Sequence, residues 1–140
     1  MSAREQLLAY TTNAWSEDDL LNETVGLALT WRWAVHHGRA ARTKKGWRTA
    51  ITGMPGFPDL VLAKAGVVLV RELKSHKGRQ QGEQLAWAQS FTPGWREQRL
   101  EIPDSELAVF FDVWRPEHWR SRIVPTLTMP MQQLLRGGRE

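Results

Sequence analysis

Two short apolar runs, Leu60 to Ala63 and Val67 to Val70, stand on either side of Ala65-Gly66. Aliphatic and β-branched runs of strand length, broken by a glycine, predict a β-hairpin. Leu107 to Trp114, LAVFFDVW, is apolar on both faces and predicts a strand inside the sheet. Two helical patterns accompany these strands. Ser16 with Asp19 three residues on has the form of a capping box, and Leu20, Thr24, Leu27 and Trp31 follow as one stripe at helical spacing. Gly82 to Phe91 predicts a second helix, with Leu85, Trp87, Ala88 and Phe91 on its buried side. Ser2 to Asn13 is ambiguous between short helix and coil. Glycines at 38, 46, 53 and 56 and prolines at 55 and 58 make Gly38 to Pro58 mostly loop, with a short strand near Trp47 to Ile51. Ser75 to Gln81 and Thr92 to Glu106 read as polar loops. After Arg115-Pro116 a helix starts at Glu117 to Arg120, but prolines 125 and 130 leave room only for a short helix near Met131 to Leu135. Arg136 to Glu140 reads as a frayed tail.

The hairpin carries the candidate chemistry. With Ala65 and Gly66 as a two-residue turn, Lys64 pairs with Val67, and counting outward sets Asp59 opposite Glu72. Directly opposed side chains in an antiparallel pair lie roughly 5 Å apart, where like charges destabilise the sheet. Something positive is therefore expected between them. Lys74, two residues past Glu72, projects from the same face. Two carboxylates and an ammonium at one open end of a hairpin form a site for a divalent metal and a phosphate.

Charge and composition widen this picture. At 140 residues the chain reads as one domain, and its net charge of +4 points to an anionic partner. From Thr24 to Pro58 there is no acidic residue, while Arg32, Arg39, Arg42, Lys44, Lys45 and Arg48 are basic and His36 and His37 add donors. A basic, glycine-containing loop that runs into an acidic metal site suits a phosphate backbone; the alternative is a solvated basic face. His37, Arg42, Lys44, Lys45 and Arg48, with Lys77 and Arg79 in the later loop, are the candidate nucleic-acid contacts. His37 can equally be a structural histidine, and two adjacent histidines without further ligands at the right spacing are no zinc signature. The chain has no cysteine, so disulfides and thiolate metal sites are excluded. Most of its eight tryptophans are expected in the core. With neither a signal peptide nor a membrane span in the pattern, a cytoplasmic protein is the expectation.

Pro58-Asp59 followed by Glu72-Leu73-Lys74 resembles the PD-(D/E)XK nuclease signature. The wider text, RTKKGWRTAITGMPGFPDLVLA, VRELKSHKGR, EQLAWA and VWRPEHW, is similar to the virus-type replication-repair nuclease (VRR-NUC) branch over His37 to Trp119. The resemblance implies an α/β restriction-endonuclease-like fold, a central mixed sheet flanked by helices, and metal-dependent hydrolysis of DNA phosphodiesters. Asp59, Glu72 and Lys74 would be catalytic, with Asp59, Glu72 and the Leu73 carbonyl holding Mg²⁺ or Mn²⁺. In the family the first helix adds an acidic residue. Asp19 stands at that place, where glutamate is usual, and Glu23 is the substitute; otherwise Asp19 only caps the helix and Glu23 is solvated. Gln84 matches a glutamine near the family's active site and would either contact phosphate or pin its loop. Small stand-alone members resemble junction-resolving homodimers, which implies a four-way DNA junction as substrate, then a flap or duplex. Two other readings stay open: a nucleic-acid-binding module of the same fold that does not cut, and a structural protein in which Glu72 and Lys74 are simply an ion pair.

Overall fold

The capping box closes as the sequence requires: Ser16 Oγ accepts from the Asp19 N–H at 3.1 Å, and Asp19 Oδ2 accepts from the Ser16 N–H at 3.0 Å. This is a computed structural model, and it describes residues 12–38, 41–43, 46–48, 52–97 and 109–128. Helix α1 (Glu17–Thr30) starts from that box. Strand β1 (Ala34–His37) follows, then β2 (Ala41–Thr43) and β3 (Gly46–Arg48). The hairpin strands are β4 (Leu60–Lys64) and β5 (Val67–Leu73). Helix α2 (Gly82–Phe91), strand β6 (Val109–Trp114) and a C-terminal helical segment ending in α3 (Val124–Thr128) complete the order. The described residues thus form an α/β arrangement with a four-stranded mixed sheet, ordered β1-β4-β5-β6, and a separate β2–β3 pair. None of the described helices is long and apolar enough to cross a membrane.

The hairpin register is the one counted from the sequence: Lys64 pairs with Val67 and Leu60 with Arg71. Both turn residues take positive φ, 49° at Ala65 and 84° at Gly66, the conformation that matches the right-handed twist of the strands. Alternation along β5 then sorts the sheet into two faces. Leu60, Leu62, Val67, Leu69, Leu73 and Trp114 pack beneath Leu20 and Ala28 of α1 and Ile123 and Leu127 of the C-terminal segment. The opposite face carries Val70, Phe111 and Val113 against Ala88 of α2 and Trp95. Each fully buried aliphatic contributes roughly 1.5–3 kcal/mol relative to exposure.

Several expectations need correction. The buried stripe of α1 is Leu20, Thr24 and Ala28; Trp31 is the C-cap and lies exposed, because the helix ends before its side chain can reach the sheet. Leu85 is exposed, and Ala88 alone of α2 is fully buried, since the helix meets the sheet along its Gln84–Ala88–Phe91 side. Gly38 to Pro58 is less loop-like than its glycines imply. The β2–β3 pair occupies part of it, and β1, just before it, adds antiparallel to β4 in a register from Ala34↔Ala63 to His37↔Leu60.

Among the described residues, strand β6 lies at the edge of the sheet, parallel to β5, rather than inside it. Phe111 and Val113 are buried on one face against Ala88 of α2 and Trp95, and Trp114 on the other among the residues beneath α1. Two of the β6 N–H groups bond to side chains: Phe111 donates to Thr92 Oγ1 at 3.0 Å and Val113 to Asp112 Oδ1 at 2.9 Å. Pro125 does not end the last helix. A π-turn over Trp119–Ile123 precedes it, with the Val124 N–H donating to the Trp119 carbonyl, so the proline falls in the first turn of α3, where its missing donor costs least. The short helix expected near Met131 to Leu135 lies outside the described residues, as does most of Ser2 to Asn13.

Candidate active site

Continuing the register one step beyond Leu60↔Arg71 brings Asp59 opposite Glu72, on the face shared with α2. Asp59 Oδ2 accepts from the Leu73 N–H at 2.9 Å, so β5 itself fixes the carboxylate. Leu73 therefore enters the site by its N–H. Glu72 is only 2 % exposed. Its Oε1 accepts from Gln84 Nε2 at 3.2 Å and lies 3.7 Å from the Lys74 ammonium. No donor reaches the buried Oε2, and two carboxyl groups can bond to each other only through a shared proton.

Burial, above all, and then the charge of Asp59 and the hydrogen bond to it push the Glu72 carboxyl up to about 9; Glu17 adds to the rise, and Lys74 opposes it. At neutral pH the bare site therefore holds Glu72 protonated. The 3.7 Å contact becomes a true ion pair only once Glu72 gives up its proton. Carboxyl groups forced together in a dry place hold a proton that a cation of higher charge can replace.

The neighbours position this trio. His37 ends β1, and its Nδ1 donates to the Asp59 carbonyl at 3.0 Å. Gln84 uses both ends of its amide: Oε1 accepts from the Gln81 N–H at 2.8 Å while Nε2 holds Glu72. It pins the loop to the carboxylate, which is one of its two expected roles. Gly56, at φ +88°, lies against the start of α2, where a Cβ would come within 2.8 Å of Glu83 atoms. That close approach brings the segment preceding Asp59 down onto the helix bearing Gln84.

The helix carboxylates fall out differently. Asp19 is exposed and spent on the capping box, and Glu23 is exposed. The first-helix carboxylate whose charge is felt at Glu72 is Glu17, which the sequence reading passed over. Among the described residues no group of three or more His, Cys, Asp or Glu side chains gathers as a metal cage.

Lys77 and Arg79 are exposed in the loop after β5. That loop is moulded by Arg115, also unassigned from sequence. One guanidinium nitrogen donates to the Ser75 carbonyl at 2.8 Å and the Gly78 carbonyl at 2.6 Å, and Nε pairs with Glu97. Arg42 and Arg48 sit on β2 and β3, whereas Lys44 and Lys45 lie outside the described residues. The structure thus joins Asp59, Glu72, Lys74, Gln84 and His37 in one place and sets Arg42, Arg48, Lys77 and Arg79 on other segments. In comparisons with known proteins, the chain matches no family model and none of the curated proteins.

Proposed function

We propose that the chain is a divalent-metal-dependent DNA endonuclease of the PD-(D/E)XK type, in its VRR-NUC branch. The observation that carries this reading is the facing pair Asp59 and Glu72 beside Lys74, with a buried Glu72 oxygen that no protein donor satisfies. Hard carboxylate oxygens fit Mg²⁺ or Mn²⁺, and Mg²⁺ is commonly held by only one or two carboxylates, its remaining positions filled by water and phosphate. Asp59 and Glu72 would hold the ion, with Glu17 a further carboxylate whose charge reaches Glu72; when bound, the ion supplies charge neutralisation at the phosphate and acidifies water. Gln84 keeps Glu72 aimed, and the Leu73 N–H keeps Asp59 aimed, so neither carboxylate must reorganise during the reaction. Lys74 places a fixed positive charge where negative charge develops on the phosphoryl oxygens, or orients the attacking water. Within this reading the substrate is branched DNA, a four-way junction first, and the working form is a homodimer.

A cleavage panel of labelled duplex, flap, single-stranded and four-way-junction DNA with Mg²⁺ and Mn²⁺ tests it, with Asp59→Asn as control. The expected result is metal-dependent cutting that the control lacks. Binding without cutting in every combination would leave a silent nucleic-acid-binding module instead.

A further inference from the structure

We infer that Phe57 is a stacking platform for an unpaired nucleobase next to the bond to be cut. The inference deepens the nuclease reading and rests on it. Phe57 is 47 % exposed and Met54 beside it 46 %. A ring so placed forgoes burial, yet it is held rigidly from behind. Trp87 meets it edge-to-face at 5.1 Å, Phe91 at 6.2 Å, and Trp87 stacks on Phe91 at 5.8 Å. The indole N–H of Trp87 donates to the Pro55 carbonyl at 3.0 Å, tying the loop to the helix on the other side of Gly56. The ring is thus presented on a fixed mount.

Its location selects the occupant. Only Pro58 separates Phe57 from Asp59, a reach of at most about 7 Å between their Cα atoms. On α2, Gln84 and Trp87 are three apart and share one face, so the residue that holds Glu72 and the residue that backs Phe57 are neighbours. A polynucleotide with a phosphate at the carboxylates therefore has its next base at this ring. Size decides against a second copy of the chain: the exposed part of one phenyl ring amounts to roughly 100 Å², far below the roughly 800 Å² per partner of a stable interface. It matches one base face, and base–aromatic stacking tolerates any sequence.

Binding in metal-free buffer tests this without cutting. The probe is duplex DNA bearing a single unpaired 2-aminopurine, compared with the fully paired duplex. Wild type is expected to quench the 2-aminopurine and to prefer the unpaired site; Phe57→Ala should reduce that preference about thirtyfold, the middle of the stacking range. Phe57→Trp should keep it. Phe57→Leu still fills the space before Trp87 and Phe91 but lacks a π face, so it should keep the melting temperature and lose the preference. Absence of quenching, a preference retained by Phe57→Leu, or a loss of self-association as the effect of Phe57→Ala would each overturn the inference. Quenching without cleavage in the panel above would count against the nuclease reading alone, and cleavage without quenching against the platform alone.

Discussion

Replacing Glu72 with glutamine should stabilise the metal-free protein, and by an amount that grows with pH. Glu72 titrates near 4.5 when unfolded and at about 9 in the fold. A group whose folded pKa is raised contributes stability that is fully present below its unfolded value and is lost as pH rises through the folded one. At pH 5 little is lost. At pH 7 the unfolded carboxyl is ionised while the folded one still holds its proton, and at about 1.4 kcal/mol per pH unit the loss is about 3 kcal/mol. Glutamine is neutral, nearly isosteric with the protonated acid, and can offer its carbonyl oxygen to Gln84 Nε2 in the same place. Glu72→Gln should therefore match the parent near pH 5 and exceed it by about 3 kcal/mol at pH 7, or about 10 °C for a chain of this size. Thermal melts in chelator from pH 5 to 9 measure the difference directly. If the two melting curves ran parallel across that range, the protonated, buried Glu72 would be wrong, and with it the argument that the site awaits a cation.

Lys74→Ala should lose cleavage while DNA affinity changes less than about threefold, because its charge acts on the transition state; an equal fall in affinity and rate would make Lys74 a backbone contact. Replacing Lys44 and Lys45 with alanine should make the slope of log K against log salt shallower by up to about 2 for every DNA sequence alike, whereas an unchanged slope would leave them a solvated face. Gly56→Ala should destabilise by about 1–3 kcal/mol through overpacking and a strained positive φ. Denaturant melts would show this, and a neutral result would mean that α2 and the preceding loop are not in close contact.

The hairpin was legible in the sequence because a two-residue turn leaves no freedom: once Ala65-Gly66 is the turn, every pair out to Asp59 and Glu72 is fixed. Helix α2 was legible in its extent but not in its buried side, since Leu85 is exposed. Strand β1 was not, because Ala34 to His37 is short and half-polar, and its pairing with β4 is long-range information absent from the local pattern. The edge position of β6 among the described strands was hidden for the opposite reason: its apolar residues report burial, and the burial of Phe111, Val113 and Trp114 comes from packing against helices and Trp95. Glu17 could have been found. A capping box spends the side chain three residues past the cap, which removes Asp19 and leaves the glutamate at the first helical position. Arg115 had no local signal, since the carbonyls it binds lie about forty residues earlier.

The same hairpin orders events in time. A two-residue turn closes in about 1–10 µs, so Asp59 and Glu72 meet while both are still hydrated. The parallel pairing of Val68 with Val109 must close a far longer stretch of chain and is entropically slower. Glu72 is ionised in the unfolded chain at neutral pH and takes up its proton as burial in the fold raises its pKa. Folding at neutral pH therefore captures a hydrogen ion, an uptake that should vanish as the medium grows more alkaline than about pH 9.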